Sequence, residues 1–290
     1  MAERDLSELV DAPGIFMGAD APYEEAKAVI LGIPMDFTVS FRPGARLGPL
    51  SIRNVSAGIE EYSVYQDKDL ADCVYRDLGD LSLPCGNVQR SLQIIEKACH
   101  ILLADGKFPI FLGGEHLVSY PLLRSFRQQY PDLRVLHFDA HADLREDYLG
   151  ERDSHATVMR QVAGLFAEKR LYQFGIRSGT KEEFAFAREH TYMHIDEVLG
   201  PLKETLAELT GYPLYVTLDI DVVDPAYAPG TGTQEPGGCT SREILTALRS
   251  LAGQKVVGFD LVEVLPALDA SERTALLAAK IVREVILAFT

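Results

Sequence analysis

The 290-residue chain has only four cysteines, Cys73, Cys85, Cys99 and Cys239, and no two of them form a CxxC pair. This spacing supports neither a disulfide framework nor a zinc ribbon, and it suits a reducing compartment. Basic residues are scarce as well, with 28 Lys and Arg against 43 Asp and Glu and a net charge of -15. Nucleic-acid binding needs clustered cations, so a nucleic-acid partner is not expected, whereas a cationic small molecule is compatible with the balance. No apolar run approaches the length that spans a bilayer, so no membrane partner is expected. The opening "MAERDLSELVDAPG" is acidic and lacks the apolar core of a secretory signal, and the expected location is the cytoplasm.

The sequence does contain an alternation. After a Pro- and Gly-punctuated opening, expected to be an irregular arm over residues 1–27, short β-rich runs alternate with helical patterns. Strands are expected at Ala28–Ile33, Val74–Leu78, Phe108–Leu112, Arg134–Asp139, Leu171–Gly175, Tyr192–Ile195, Pro213–Asp219 and Lys255–Leu261. Helices are expected at Gln89–Ala104, His116–Gln129, Ala156–Glu168, Lys181–Glu189, Asp196–Leu209, Ser241–Leu251 and Ser271–Ala288. Such an alternation implies βαβ crossovers and a parallel sheet, either closed into a barrel or open with helices on both faces. Both architectures place their chemistry at the carboxyl ends of the strands.

Ligand-type residues collect at four of those ends. "FPIFLGGEH" finishes with Glu115 and His116, and "VLHFDAHAD" with Asp139, His141 and Asp143. "LYVTLDIDVVDP" finishes with Asp219, Asp221 and Asp224, and "VVGFDLVEV" delivers Glu263. Each piece alone has a plain structural reading, since Asp at a strand end starts turns and caps helices. Together, converging carboxylates would repel one another and lose hydration unless cations compensated them. Asp139, Asp143, Asp219 and Asp221 carry four negative charges, which two divalent ions would neutralise, with one imidazole each from His116 and His141. An oxygen-rich donor set favours Mn2+ or Mg2+. Two such ions about 3.5–4 Å apart can share a water and lower its pKa towards neutrality.

GGEH, DAHAD and DIDVVDP, in this order, resemble the three metal motifs of the ureohydrolases, the family of arginase, agmatinase, guanidinobutyrase and formiminoglutamase. The likeness extends through "GIPMDFTVSFRPGARLGPLSIR", "FGIRSG" and "FDLVEVLPALD", so it covers nearly the whole chain. It implies one domain over residues 1–290 with a three-layer α/β/α fold around an eight-stranded, mainly parallel sheet. It also implies two Mn2+ per chain, with Asp139 and Asp219 bridging, His116 and Asp143 completing one coordination sphere, and His141 and Asp221 the other. By the same resemblance, Asp143 would accept a hydrogen bond from a bridging hydroxide and aim it at the guanidinium carbon. His155, in "SHAT", would shuttle a proton to the leaving amine, and Glu263 would hold the guanidinium. Asp224 is read as holding the loop rather than as a ligand.

Within the family, "DPAYAPGTGTQEPGG" looks most like agmatinase, implying conversion of agmatine to putrescine and urea and a place in polyamine synthesis. The charged segment "LREDYLGERD" lacks the Asn-, Ser- and Thr-rich character of arginases. Glu146, Asp147, Glu151 or Asp153 would suit a distal ammonium, while Arg145 or Arg152 would suit the carboxylate of 4-guanidinobutyrate; L-arginine is the weaker alternative. Two positions depart from the common family pattern, with Leu117 in place of Ser and Ala156 in place of Gly. A two-metal phosphoesterase would need phosphate clamps, for which Arg42, Arg46 and Arg53 are the candidates. A non-catalytic metal-dependent binding or assembly protein is a further alternative. Family membership implies a homotrimer or homohexamer. His100, His137, His190 and His194 are read as structural.

Overall fold

The computed structural model describes residues 6–290. Eleven strands and eight complete α-helices follow one another among the described residues. The strands are β1 (Val10–Asp11), β2 (Ala28–Ile33), β3 (Tyr62–Ser63), β4 (Lys68–Asp69), β5 (Tyr75–Leu81), β6 (Phe108–Gly113), β7 (Arg134–Phe138), β8 (Leu171–Ile176), β9 (Tyr192–Ile195), β10 (Leu214–Asp219) and β11 (Val256–Val262). The helices are α1 (Gly48–Ser56), α2 (Val88–Ala104), α3 (Ser119–Gln129), α4 (Val158–Ala163), α5 (Lys181–His190), α6 (Leu199–Leu209), α7 (Ser241–Ser250) and α8 (Arg273–Phe289).

Nine strands form one open sheet in the order β1-β5-β2-β6-β11-β10-β7-β8-β9, and β3 and β4 pair separately. Every pairing in the large sheet is parallel except that of β1 with β5, where Val10 lies opposite Leu81. The sheet therefore has one strand more than expected, and the extra one comes from the segment expected to be an irregular arm. Two residues are too few to display a period, yet they cover the otherwise bare edge of β5. Residues 1–5 of that arm lie outside the described residues.

Apolar clusters pack on both faces, giving a three-layer α/β/α arrangement. Ala28 and Ile30 of β2 face the layer that contains α6, α7 and α8, while Val29, Leu31 and Ile33 face the layer of α2, α3, α4 and α5. Burial on both sides is why these strands read as unbroken apolar runs. Helix α1 packs on α8 and was not expected. Its "GPLSIRNVS" begins with turn-type residues, but Pro49 occupies the first turn, where a missing N–H breaks no helical bond. Conversely, the helix expected at Ala156–Glu168 is shorter, a 3-10 turn at His155–Thr157 leading into α4, which stops at Gly164. No helix among the described residues is long and apolar enough to cross a membrane.

The four strands whose ends carry ligand-type residues, β6, β11, β10 and β7, are consecutive at the centre of the sheet. From β7 the chain moves on to β8 on one side, and from β10 to β11 on the other. Connections that diverge from adjacent strands leave a crevice at their carboxyl ends, and open α/β sheets bind ligands there.

Candidate metal centre

The crevice holds the residues singled out by sequence. His116 Nδ1 lies 3.0 Å from Asp139 Oδ2, 3.3 Å from Asp143 Oδ2 and 3.4 Å from Asp219 Oδ2. On the other side His141 Nδ1 is 2.9 Å from Asp221 Oδ2 and 3.5 Å from Asp139 Oδ1. Asp139 thus turns one oxygen to each histidine. Asp139, His141 and Asp221 form one group whose donor atoms lie within 4.8 Å of one another.

Local backbone chemistry creates this convergence. Two residues apart in extended chain, Asp139 and His141 face the same side, and Asp139 Oδ1 accepts the His141 N–H at 2.6 Å. Asp221 Oδ1 accepts Ala140 N–H at 3.0 Å, tying the end of β10 to the end of β7. Asp143 adopts a left-handed backbone with φ 54°, held because its carbonyl accepts from Met159 and Arg160. Gly114 is obligatory, since a Cβ there would stand 1.9 Å from the Met35 carbonyl oxygen.

The donor set fits divalent cations. His116 Nδ1 is buried, has no hydrogen-bond partner and faces three carboxylates. Its Nε2 sits 3.0 Å from Thr217 Oγ1, and that hydroxyl donates to Asp260 Oδ1 at 2.6 Å. The Thr217 proton is therefore spent on Asp260, so its oxygen accepts from Nε2–H and Nδ1 is left with a free lone pair. That is the tautomer a metal ligand needs. Burial, then the charges of Asp221 and Asp139, push Asp219 well above the usual carboxylate range. Burial and the Asp139 charge also raise Asp221. Burial would lower His141, but Asp221 and Asp139 overcome it and raise it to about 12. Left to protein groups alone, the cluster must gather protons, and cations would serve the same need.

His137, expected to be structural, lies inside this network. With His116 and Asp139 it forms a second group whose donor atoms lie within 4.8 Å of one another. Its Nε2 is 2.8 Å from Asp139 Oδ2, and its Nδ1 is 3.1 Å from Gln173 Nε2. That amide also donates to the Ala142 carbonyl at 2.9 Å, which fixes its orientation. Nδ1 must then accept and Nε2 must donate, so His137 steadies Asp139 and has no lone pair facing the crevice.

His155 and Glu263 meet beside the cluster, with Nδ1 3.0 Å from Oε1. The same Glu263 oxygen accepts the His116 N–H at 2.9 Å, and the Glu263 N–H donates to Gly114 O at 2.8 Å. Ser40 N–H reaches His155 Nε2 at 2.8 Å. A backbone N–H can only donate, so in this arrangement Nε2 accepts and the proton is on Nδ1. Burial lowers the His155 pKa, but the Glu263 carboxylate outweighs it and raises it to about 9. A second proton on Nε2 and the Ser40 contact are therefore alternatives. The segment leading to Ser40 is held by Glu115, whose buried carboxylate accepts from Phe37 N–H at 2.8 Å and from the Thr38 hydroxyl.

A cavity of about 330 Å³ opens over these groups, and Asp143, His155, Asp219, Asp221 and Glu263 line it. Other expectations need correcting. Glu146 is 82% exposed and 3.7 Å from Arg160, Asp147 caps Gly150 N–H, and Asp153 contacts Gln89. None of Glu146, Asp147, Glu151 and Asp153 lines the cavity; Arg145, Tyr148, Glu183 and Glu235 do. The arginine candidates for phosphate clamps fit a structural loop instead: Arg46 pairs with Asp36, Arg53 is buried against Asp77 and Asp80, Arg42 stacks on Phe41, and none of the three lines the cavity. Asp224 holds its loop as expected, accepting from Ala226, Gly237 and Gly238.

Comparison with known proteins agrees with this geometry. The model of the arginase family matches residues 26–288. Agmatinase of Bacillus subtilis is 54% identical over 279 residues, covering 95% of this chain and 96% of the relative. Guanidinobutyrase of Pseudomonas aeruginosa is 33% identical over 278 residues, covering 92% and 87%. The crystal structure of agmatine ureohydrolase of Thermoplasma volcanium superposes with a TM-score of 0.88 at 33% identity, covering 98% of this chain and 97% of that one. With three metal motifs in register, the same layered fold and a family match over most of its length, this chain belongs to the arginase family of ureohydrolases.

Proposed function

We propose that this protein hydrolyses agmatine to putrescine and urea, with two Mn2+ ions per chain. The observation that carries the reading is the bare, buried Nδ1 of His116 facing three carboxylates, next to a paired His155 and Glu263. The preference for agmatine rests on the likeness to a relative named agmatinase at 54% identity. Asp139 and Asp219 would hold both ions, with His116 and Asp143 completing the set for one and His141 and Asp221 for the other. The split of the Asp139 oxygens between the two histidines supports that division.

When bound, the two ions would supply the nucleophile by lowering the pKa of a water so that hydroxide is available at neutral pH. The chain's own residues do the rest. Glu263 is held by His116 N–H through one oxygen, which fixes its carboxylate to receive the guanidinium by charge-assisted hydrogen bonds. Once hydroxide adds, the carbon–nitrogen bond to the alkyl chain breaks, and His155 gives a proton to the departing amine nitrogen. Ser40, anchored through Thr38 on Glu115, keeps the imidazole turned to Glu263 between turnovers.

This reading takes residues 1–290 as one domain, a homotrimer or homohexamer in the cytoplasm, and putrescine as a product for polyamine synthesis. A second reading, 4-guanidinobutyrate as substrate, draws on Arg145 at the cavity wall. Urea release from agmatine, 4-guanidinobutyrate and L-arginine, with Mn2+ and after chelation, tests both. Chelation-sensitive turnover that favours agmatine is expected. A preference for another guanidine would replace the substrate and keep the chemistry, and no urea from any of them would end the proposal.

A further inference from the structure

Resting on the agmatine reading, we propose that Glu235 is the carboxylate that receives the distal ammonium of the substrate and makes the cavity selective for a cationic tail. Away from the carboxylate centre and Glu263, the acids lining the cavity are Glu183 and Glu235. Glu183 is already used. Its Oε1 accepts Leu144 N–H at 2.9 Å and its Oε2 accepts Thr180 N–H at 2.8 Å, capping α5. What charge it has left faces Arg145 Nε at 3.8 Å. Among the described residues, no hydrogen bond or ion pair engages the half-buried Glu235 carboxylate.

The segment that carries Glu235 is nonetheless tightly fixed. Its carbonyl accepts from Arg177 Nη2 at 2.8 Å and Nε at 3.2 Å. The same Nη2 donates to the Asp221 carbonyl at 2.6 Å, so one guanidinium sets the position of Glu235 relative to the metal side of the site. Two and three residues further on, Gly237 N–H and Gly238 N–H are tied to Asp224 at 2.7 and 3.1 Å. A carboxylate without a partner, on a backbone held at its own carbonyl and just beyond it, pays little ordering cost when an ammonium arrives.

The charges at the wall also separate the competing substrates. Arg145 is the cation that would welcome an anionic tail, and Glu183 stands against it. Glu235 has no such counter-ion. An ammonium gains a charge-assisted bond there, whereas the carboxylate of 4-guanidinobutyrate meets a like charge.

The test uses three guanidines of similar length in the metal-loaded protein: agmatine, neutral butylguanidine and anionic 4-guanidinobutyrate. In Glu235→Gln the KM for agmatine should rise about tenfold, the scale of one lost charge-assisted hydrogen bond. The agmatine-over-butylguanidine preference in kcat/KM should fall by the same factor, and the KM for 4-guanidinobutyrate should drop. Equal losses on all three compounds would mean a merely structural role and overturn the inference, as would an unchanged agmatine KM. Absence of urea from agmatine in the unaltered protein would instead defeat the proposed activity. Calorimetric agmatine binding by both proteins would then decide the contact, with equal affinities counting against Glu235.

Discussion

Two of the regions that bury carboxylates in this molecule balance the charge in opposite ways. On β5, Asp77 and Asp80 surround Arg53, whose Nε, Nη1 and Nη2 reach Asp77 Oδ2 at 2.7 Å, Asp80 Oδ1 at 2.5 Å and Asp77 Oδ1 at 2.9 Å. Burial would lower the Arg53 pKa, but the two acids hold it above its ordinary value. At the centre of the sheet four aspartates converge with histidines, among the described residues no Arg or Lys forms an ion pair with them, and a buried imidazole nitrogen is left bare. The closed cluster satisfies itself and serves the fold. The open one does not, and that is what suits it to hold cations.

The largest expected effect breaks the closed cluster. Arg53→Met leaves two buried acids without their cation and should cost about 3–5 kcal/mol of unfolding free energy. Denaturant titration of metal-free protein measures it; a cost under about 1 kcal/mol would mean that Asp77 and Asp80 do not depend on Arg53. The open cluster should respond to ions instead. Manganese at a hundredfold over its Kd should add about 2.7 kcal/mol to the chelated protein. Asp219→Asn should abolish that response while leaving the metal-free protein as stable as before or more so, because it removes one of the converging charges. Scanning calorimetry with and without chelator reads both, and a destabilised metal-free variant would refute the contrast.

A subtler change lies behind His116. Thr217→Val removes the oxygen that fixes its tautomer, and manganese affinity should fall about tenfold or more, read by competition with a chelator. Unaltered affinity would show that Thr217 does not orient the ligand.

The smallest effect concerns Asp269, a carboxylate balanced by neutral donors alone. Thr274 N–H, Thr274 Oγ1 and Ser271 Oγ donate to it at 2.8, 2.7 and 2.6 Å. Burial would raise its pKa, but these donors win and hold it below the usual range. A depressed folded-state pKa stabilises above the unfolded value of about 3.9 and loses that contribution as pH falls through the folded value. Asp269→Ala should therefore cost about 1 kcal/mol at neutral pH, and the gap between variant and parent should close as pH falls below the unfolded value of about 3.9 and through the folded one. A gap independent of pH would assign the loss to packing.

Much of this was legible in the sequence. Strand–helix alternation marked the parallel strands nearly residue by residue, because strands buried on both faces must be continuously apolar. Asp139, His141 and Asp143 betrayed themselves as polar residues ending such a run. Their supports did not. Thr217 and Asp260 lie inside apolar strands as single polar positions, and only the pairing of Thr217 with Asp260 across β10 and β11 explains them. Asp260 reaches Tyr215 as well. His137 has the same spacing from Asp139 as His141, on the opposite side, and one histidine rather than the other became a candidate ligand through the motif, not through periodicity. Glu235 was hidden because the fixing contact comes from Arg177, far away in sequence and attached to a backbone oxygen.

The knitting of β6 to β11 bears on how such proteins diversify. His116 N–H bonds the Glu263 carboxylate and Glu263 N–H bonds Gly114 O, so the proposed ion ligand and guanidinium holder form a single stitched unit. Altering either end disturbs both, which leaves evolution little freedom there. The wall near Arg145, Tyr148 and Glu235 belongs to connections between elements and can vary without touching that unit. A lineage can thus exchange one tail preference for another by rewriting a few loop codons while inheriting its reaction centre unchanged.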